Sequence, residues 1–143
     1  MHPRINLITL GVKDLKKSTE FYETGLGWKR SEESNDSVSF FQLGGIILSL
    51  FGEEDLASDM NLPFSPKPNY TGITLAQNVP TEAEVDSIIE KMRGLGAKII
   101  KEPQKVFWGG YSAYFQDLDG HCFEIAHNPF FPLNERGEIQ LSK

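Results

Sequence analysis

Only one cysteine, Cys122, occurs in the chain, and a single thiol supports neither an internal disulfide nor a thiolate metal cluster. Long apolar runs are missing too; none approaches the ~20 residues of a membrane-spanning helix. Basic charge is scarce. Lys and Arg number 14 against 20 Asp and Glu, a formal net charge of −6. That balance disfavours nucleic acid and anionic membrane as partners, since both are held by a basic footprint. The opening residues, Met-His-Pro-Arg-Ile-Asn, lack the apolar core of a secretory signal. A cytoplasmic address follows by default. What remains is an ordinary soluble composition over 143 residues, long enough for one domain with a real core.

The stretch with the most to say runs from Phe107 to Pro129. Tyr111 to Gln116 is aromatic-rich and suits a strand. Asp117-Leu118-Asp119-Gly120 is a turn, with Gly120 able to take the positive φ such turns need. Cys122 to His127 is the return strand. Glu124 sits in its middle, among apolar neighbours. A carboxylate there is costly unless it is paired, hydrogen-bonded or bound to a cation.

Earlier in the chain, Ile5 to Val12 predicts a strand and Asp14 a helix N-cap. Leu15, Ser18, Tyr22 and Leu26, widened by Phe21, make one largely apolar stripe. The helix stops within Gly25-Leu26-Gly27. Trp28 to Ser31, Ser37 to Leu43 and Ile46 to Phe51 predict three strands, separated by Asn35-Asp36 and Gly44-Gly45. Gly52 to Tyr70 is first acidic, then carries Pro63, Pro66 and Pro68. It predicts at most one helical turn, near Asp55 to Met60, and reads equally as a linker or a lid. Thr71 to Ala76 is the next strand. Thr81 opens a capping box with Glu84. Val85, Ile88, Ile89, Met92 and Leu95 form the clearest amphipathic stripe, ended by Gly96. Ala97 to Lys101 is a strand; Pro103 and Trp108-Gly109-Gly110 mark a loop.

The two halves therefore repeat. Gly25-Leu26-Gly27 and Gly94-Leu95-Gly96 each close a helix and precede a strand, roughly 70 residues apart. The expected fold is α+β: two βαβββ modules in one chain forming a cupped, curled mixed sheet around a cleft. Module one spans 4–52, the linker or lid 53–70, module two 71–129 and a C-terminal tail 130–143, expected either to add an edge strand at Ile139 to Leu141 or to cover a neighbour.

In this order, Val12-Lys13-Asp14-Leu15, Phe21-Tyr22, Leu26-Gly27-Trp28, Phe115-Gln116-Asp117-Leu118-Asp119-Gly120 and Phe123-Glu124 resemble the glyoxalase, bleomycin-resistance and extradiol-dioxygenase superfamily, also called vicinal oxygen chelate. The resemblance covers nearly the whole chain. Thr9-Leu10-Gly11-Val12, Phe107-Trp108-Gly109-Gly110-Tyr111 and His127-Asn128-Pro129 mark a branch of that superfamily. The resemblance implies four cleft positions that carry His, Gln or Glu around a divalent cation in metal-dependent members. Here they fall on Leu7, near Ser49, near Gly72 and on Glu124. Only Glu124 has ligand chemistry, and such sites need three or four donors. No metal and no other cofactor is expected. His121 and His127 stand at odd offsets from Glu124, on the opposite strand face.

Glu124 is thus a cleft carboxylate that anchors a ligand or acts as a base, or else a vestige of the ligand position hydrogen-bonded to Tyr or Trp. Trp108 and Tyr111 are candidate aromatic walls, the alternative being packing at the hairpin entrance. Thr9, Gln42 and Ser49 are candidate cleft residues, and Cys122 shares the parity of Glu124. The leading expectation is a metal-independent binder of a small organic molecule, partly apolar or cationic, like the bleomycin-resistance proteins. The alternative is a lyase, isomerase or dioxygenase that uses Glu124 as base or as residual ligand. No exposed basic or apolar recognition stretch supports a third option, a structural or regulatory partner protein. Open sheet edges predict a homodimer.

Overall fold

The computed structural model describes residues 1–141; the last two residues of the expected tail, 142 and 143, lie outside the described residues. The chain divides into two compact units, Met1–Asn69 and Tyr70–Lys143. Among the described residues they carry ten elements of α+β type.

The first unit holds β1 (Leu7–Val12), α1 (Leu15–Gly25), β2 (Val38–Leu43), β3 (Ile46–Gly52) and α2 (Glu53–Asp59). Its sheet has the order β1-β3-β2, with β1 parallel to β3 and β2 antiparallel to it. The Asp14 side chain accepts from Lys17 N at 3.0 Å and so satisfies one of the free N–H groups that open α1. Gly27, at φ +70°, takes the left-handed step that ends the helix. α1 lays Phe21 and Tyr22 against Phe41, Leu48 and Leu50, all buried. A buried hydroxyl pair, Thr19 Oγ1 and Ser39 Oγ at 2.8 Å, lies in the same contact.

The strand expected at Trp28 to Ser31 is reduced to one bridge, Arg30 with Phe41. Local side chains take the place of a ladder. The Trp28 ring folds back onto Tyr22, 5.7 Å away and nearly parallel. Arg30 donates to Ser39 Oγ and to the Asn35 carbonyl, and Ser34 Oγ accepts from Phe40 N. The acidic start of the 53–70 stretch is a seven-residue helix, longer than the single turn expected. It packs onto β1 at Gly11, where an added Cβ would lie 3.1 Å from Glu53 Cα. Those residues thus close onto the first unit.

The second unit holds β4 (Leu75–Asn78), α3 (Glu82–Gly94), β5 (Lys98–Lys105), β6 (Tyr111–Gln116) and β7 (Cys122–His127), in the sheet order β4-β7-β6-β5. It shows the whole βαβββ pattern. β4 starts later than expected, because Gly72 at φ +74° interrupts extended backbone at Thr71-Gly72. Thr81 accepts from Glu84 N at 3.2 Å and caps α3. Val85, Ile89 and Met92 are fully buried and cover the face that carries Ala113, Phe115, Phe123 and Ile125. Phe115 and Phe123 stack at 5.3 Å. β5 continues through Pro103, where a loop was expected. Pro103 falls within a register shift on an edge strand, where a missing N–H leaves the ladder intact. β6 and β7 have the predicted limits. Asp117 Oδ1 accepts from Asp119 N and His121 N in the turn between them. The tail folds on itself: Ile139 bridges Leu133 and adds no strand to the sheet.

Candidate functional site

β7 sorts its side chains by parity. Phe123 and Ile125 face α3; Cys122, Glu124 and Ala126 face away. The β6 partners follow: Gln116 stands opposite Cys122, Tyr114 opposite Glu124 and Ser112 opposite Ala126. On the far side of Glu124 stands Ala76 of β4, too small to crowd it. Burial, followed by hydrogen bonding to the Glu124 carboxylate opposite and by its charge, holds the Tyr114 phenol above its ordinary range. Gln116 Nε2 lies 3.6 Å from Cys122 Sγ on the same face. Ser112 is buried there as well. The face away from α3 is therefore a polar floor of Ser112, Tyr114, Gln116, Cys122 and Glu124, with Lys101 of β5 beside Tyr114.

Tyr111 does not join this floor. Its cross-strand partner is His127, which puts it on the α3 side. Its hydroxyl donates to Asp86 of α3 at 2.6 Å. That hydrogen bond, reinforced by burial and by the Asp86 and Glu82 charges, pushes its pKa up to about 12. Tyr111, expected with Trp108 as an aromatic wall over a ligand anchored by Glu124, instead points to the opposite face of the hairpin from Glu124. His127 sits on the α3 side as parity predicts, with Nδ1 3.2 Å from the Val79 carbonyl oxygen.

Trp108 packs at the hairpin entrance. A Cβ added at Gly110 would lie 1.7, 2.1 and 2.6 Å from three carbons of its ring. Gly109, at φ +90°, is likewise covered by Phe130. The glycine pair therefore admits two aromatic rings. Phe107, next to Trp108, is fully exposed.

Thr9, Ser49 and Gln42 belong to the first unit. Thr9 and Ser49 are register partners and share a 2.5 Å hydroxyl contact on the sheet face away from α1. Gln42 donates to the Gly44 carbonyl at 2.6 Å and lines a groove of about 550 Å³ with Trp28, Arg30 and Glu33.

The donor set does not fit a divalent metal. Leu7 is aliphatic, Gly72 has no side chain, Ser49 is a neutral hydroxyl engaged with Thr9, and Glu124 alone is a carboxylate. Among the described residues no group of three or more His, Cys, Asp or Glu is placed to hold a metal ion. Also among them, no helix is long and apolar enough to cross a membrane.

Tyr114 escaped the sequence reading, although its signal was present. Once the turn is known to occupy 117–121, pairing Gln116 with Cys122 sets Tyr114 opposite Glu124.

Comparison with known proteins places this geometry in context. The metallothiol transferase FosB of Lysinibacillus sphaericus is 33% identical over 121 residues, covering 85% of this chain and 79% of that protein. The fosfomycin resistance protein FosX of Listeria innocua is 32% identical over 124 residues, 82% of this chain and 84% of its own. Among solved structures, a glyoxalase-related enzyme from Fulvimarina pelagi superposes with a TM-score of 0.90 at 30% identity, covering 99% of both chains. A family model described as Glyoxalase/Bleomycin resistance protein/Dioxygenase superfamily matches residues 4–125. The chain belongs to the glyoxalase/bleomycin resistance/dioxygenase superfamily.

Proposed function

We propose that this protein binds a small, partly apolar organic molecule without a metal, on the polar floor of the second sheet, with Glu124 as anchor. The observation that carries the reading is the Tyr114–Glu124 pair on the sheet face not covered by α3. A carboxylate has about four acceptor sites, and the one phenol opposite it can fill only one of them. The rest suit the donors of an ammonium, amidinium or hydroxyl group. A chain of net charge −6 favours a cationic ligand. A cytoplasmic homodimer completes the reading: β1 and β2 edge one sheet and β4 and β5 the other, and unpaired edges invite pairing.

A second reading is enzymatic, and the name of the FosB relative, a metallothiol transferase, favours it. Glu124 would then be a general base or a residual metal ligand. A panel of organic cations and antibiotics, fosfomycin included, separates the two in a thermal-shift and turnover screen. A binder at about 100-fold over its Kd adds ~2.7 kcal/mol, roughly 5–10 °C for a chain of this length. Under the binding reading that shift disappears in Glu124→Gln and no compound is consumed. Turnover lost in Glu124→Gln would put the enzymatic reading first. A stabilising ligand held equally by wild type and Glu124→Gln would refute Glu124 as anchor.

A further inference from the structure

A second cavity lies away from the Glu124 floor. The parallel strands β4 and β7 both end at it, and the tail folds over it, making a groove of about 550 Å³. Asn128 Oδ1 accepts from Phe130 N at 2.9 Å and turns the chain so that Phe131 forms one wall.

Three polar side chains reach this groove with bonding capacity unused. Glu84 gives its backbone N–H to Thr81, but its carboxylate does not return the other half of the capping box and has no partner among the described residues. Asn78 is half-buried with its amide likewise unengaged. His127 turns Nδ1 to the Val79 carbonyl. A carbonyl only accepts, so Nδ1 carries the proton and Nε2 of the neutral ring is an acceptor. Pro80 and Phe131 supply apolar wall, and Glu135 adds a second carboxylate. Among the described residues no Lys or Arg lines the groove.

We infer that this groove is a second binding site, selective for a small organic amine in its ammonium form with an apolar or aromatic body. The lining offers carboxylates and an imidazole nitrogen, each able to accept from an ammonium, and Phe131 and Pro80 as apolar wall for its body. The site is built by the tail and by the His127-Asn128-Pro129 segment, which the Glu124 floor does not use.

The test is amide chemical-shift mapping on the full-length isotope-labelled protein, titrated with benzylammonium and, in parallel, neutral benzyl alcohol. Saturable shifts are expected over residues 77–84 and 127–135, with Kd on the order of 1 mM. The alcohol should bind about tenfold more weakly. Glu84→Gln, isosteric and on an exposed turn, should weaken the amine by about tenfold and leave the rest of the spectrum in place. Glu124→Gln should leave this affinity unchanged. A non-saturating response, equal affinity for the alcohol, an unaffected Glu84→Gln, or shifts confined to residues 112–124 would each overturn the assignment.

Discussion

Gly110→Ala is the substitution whose outcome follows most directly from geometry. Gly110 has no positive φ, so alanine meets no backbone strain there. Its three nearest obstacles all belong to the Trp108 ring, at 1.7, 2.1 and 2.6 Å. Carbon atoms settle at about 3.5–4 Å, so the ring must retreat by roughly 1.5–2 Å and give up its present packing. Overpacking of that kind costs about 1–3 kcal/mol. Alanine recovers about 0.4–1 kcal/mol by restricting the unfolded chain. The net expectation is a loss of about 1–2 kcal/mol, read as a lower urea midpoint at unchanged slope by far-ultraviolet circular dichroism. The decisive comparison is Gly110→Ala in a Trp108→Ala background. With the ring gone the substitution should be neutral or stabilising, giving a coupling of about 1–3 kcal/mol. Equal cost in both backgrounds would refute the packing of Trp108 over Gly110.

Three further outcomes are expected. The Tyr111 phenol is raised from 10.0 to about 12 in the fold, so its contribution is complete below pH 10 and disappears as pH rises through about 12. Near-ultraviolet absorbance titration should lose a phenol step near 12 in Tyr111→Phe, and in Asp86→Asn that step should move down. Phe41→Ala empties a fully buried site between Tyr22 and Trp28 and should cost about 3–5 kcal/mol by urea unfolding; a loss under 1 kcal/mol would contradict that core. Thr81→Ala removes the α3 cap and should cost about 1 kcal/mol, while Thr81→Ser or Thr81→Asp should retain most of it.

How far the sequence could be read depended on whether the governing interaction was local. The β6–β7 limits were legible because period-2 alternation and the Asp117–Gly120 turn chemistry both act within a few residues. Asp14 and Thr81 announced their helices for the same reason. Trp28 to Ser31 has strand composition, but the Tyr22 face that draws the indole away is a tertiary feature. Pro103 is a breaker in a central strand and harmless at an edge, and strand order is not written locally. At the site, parity along β7 correctly separated Glu124 from His127. Carrying it across the turn would also have placed Tyr111 with His127 and Tyr114 with Glu124. The resemblance to metal-dependent proteins pointed to four cleft positions. At three of them stand Leu7, Ser49 and Gly72, none of which brings a charged donor, and at the fourth Glu124.

Elemental analysis of protein purified without chelator or affinity-tag metal, paired with a thermal-shift series over divalent ions, tests the metal-free reading most directly. One carboxylate is too few donors for a transition metal, so the expected result is sub-stoichiometric metal and no ion-dependent rise in stability. Near-stoichiometric Mn, Fe, Ni or Zn, with a thermal shift that vanishes in Glu124→Ala, would contradict it and bring metal-dependent chemistry to the front.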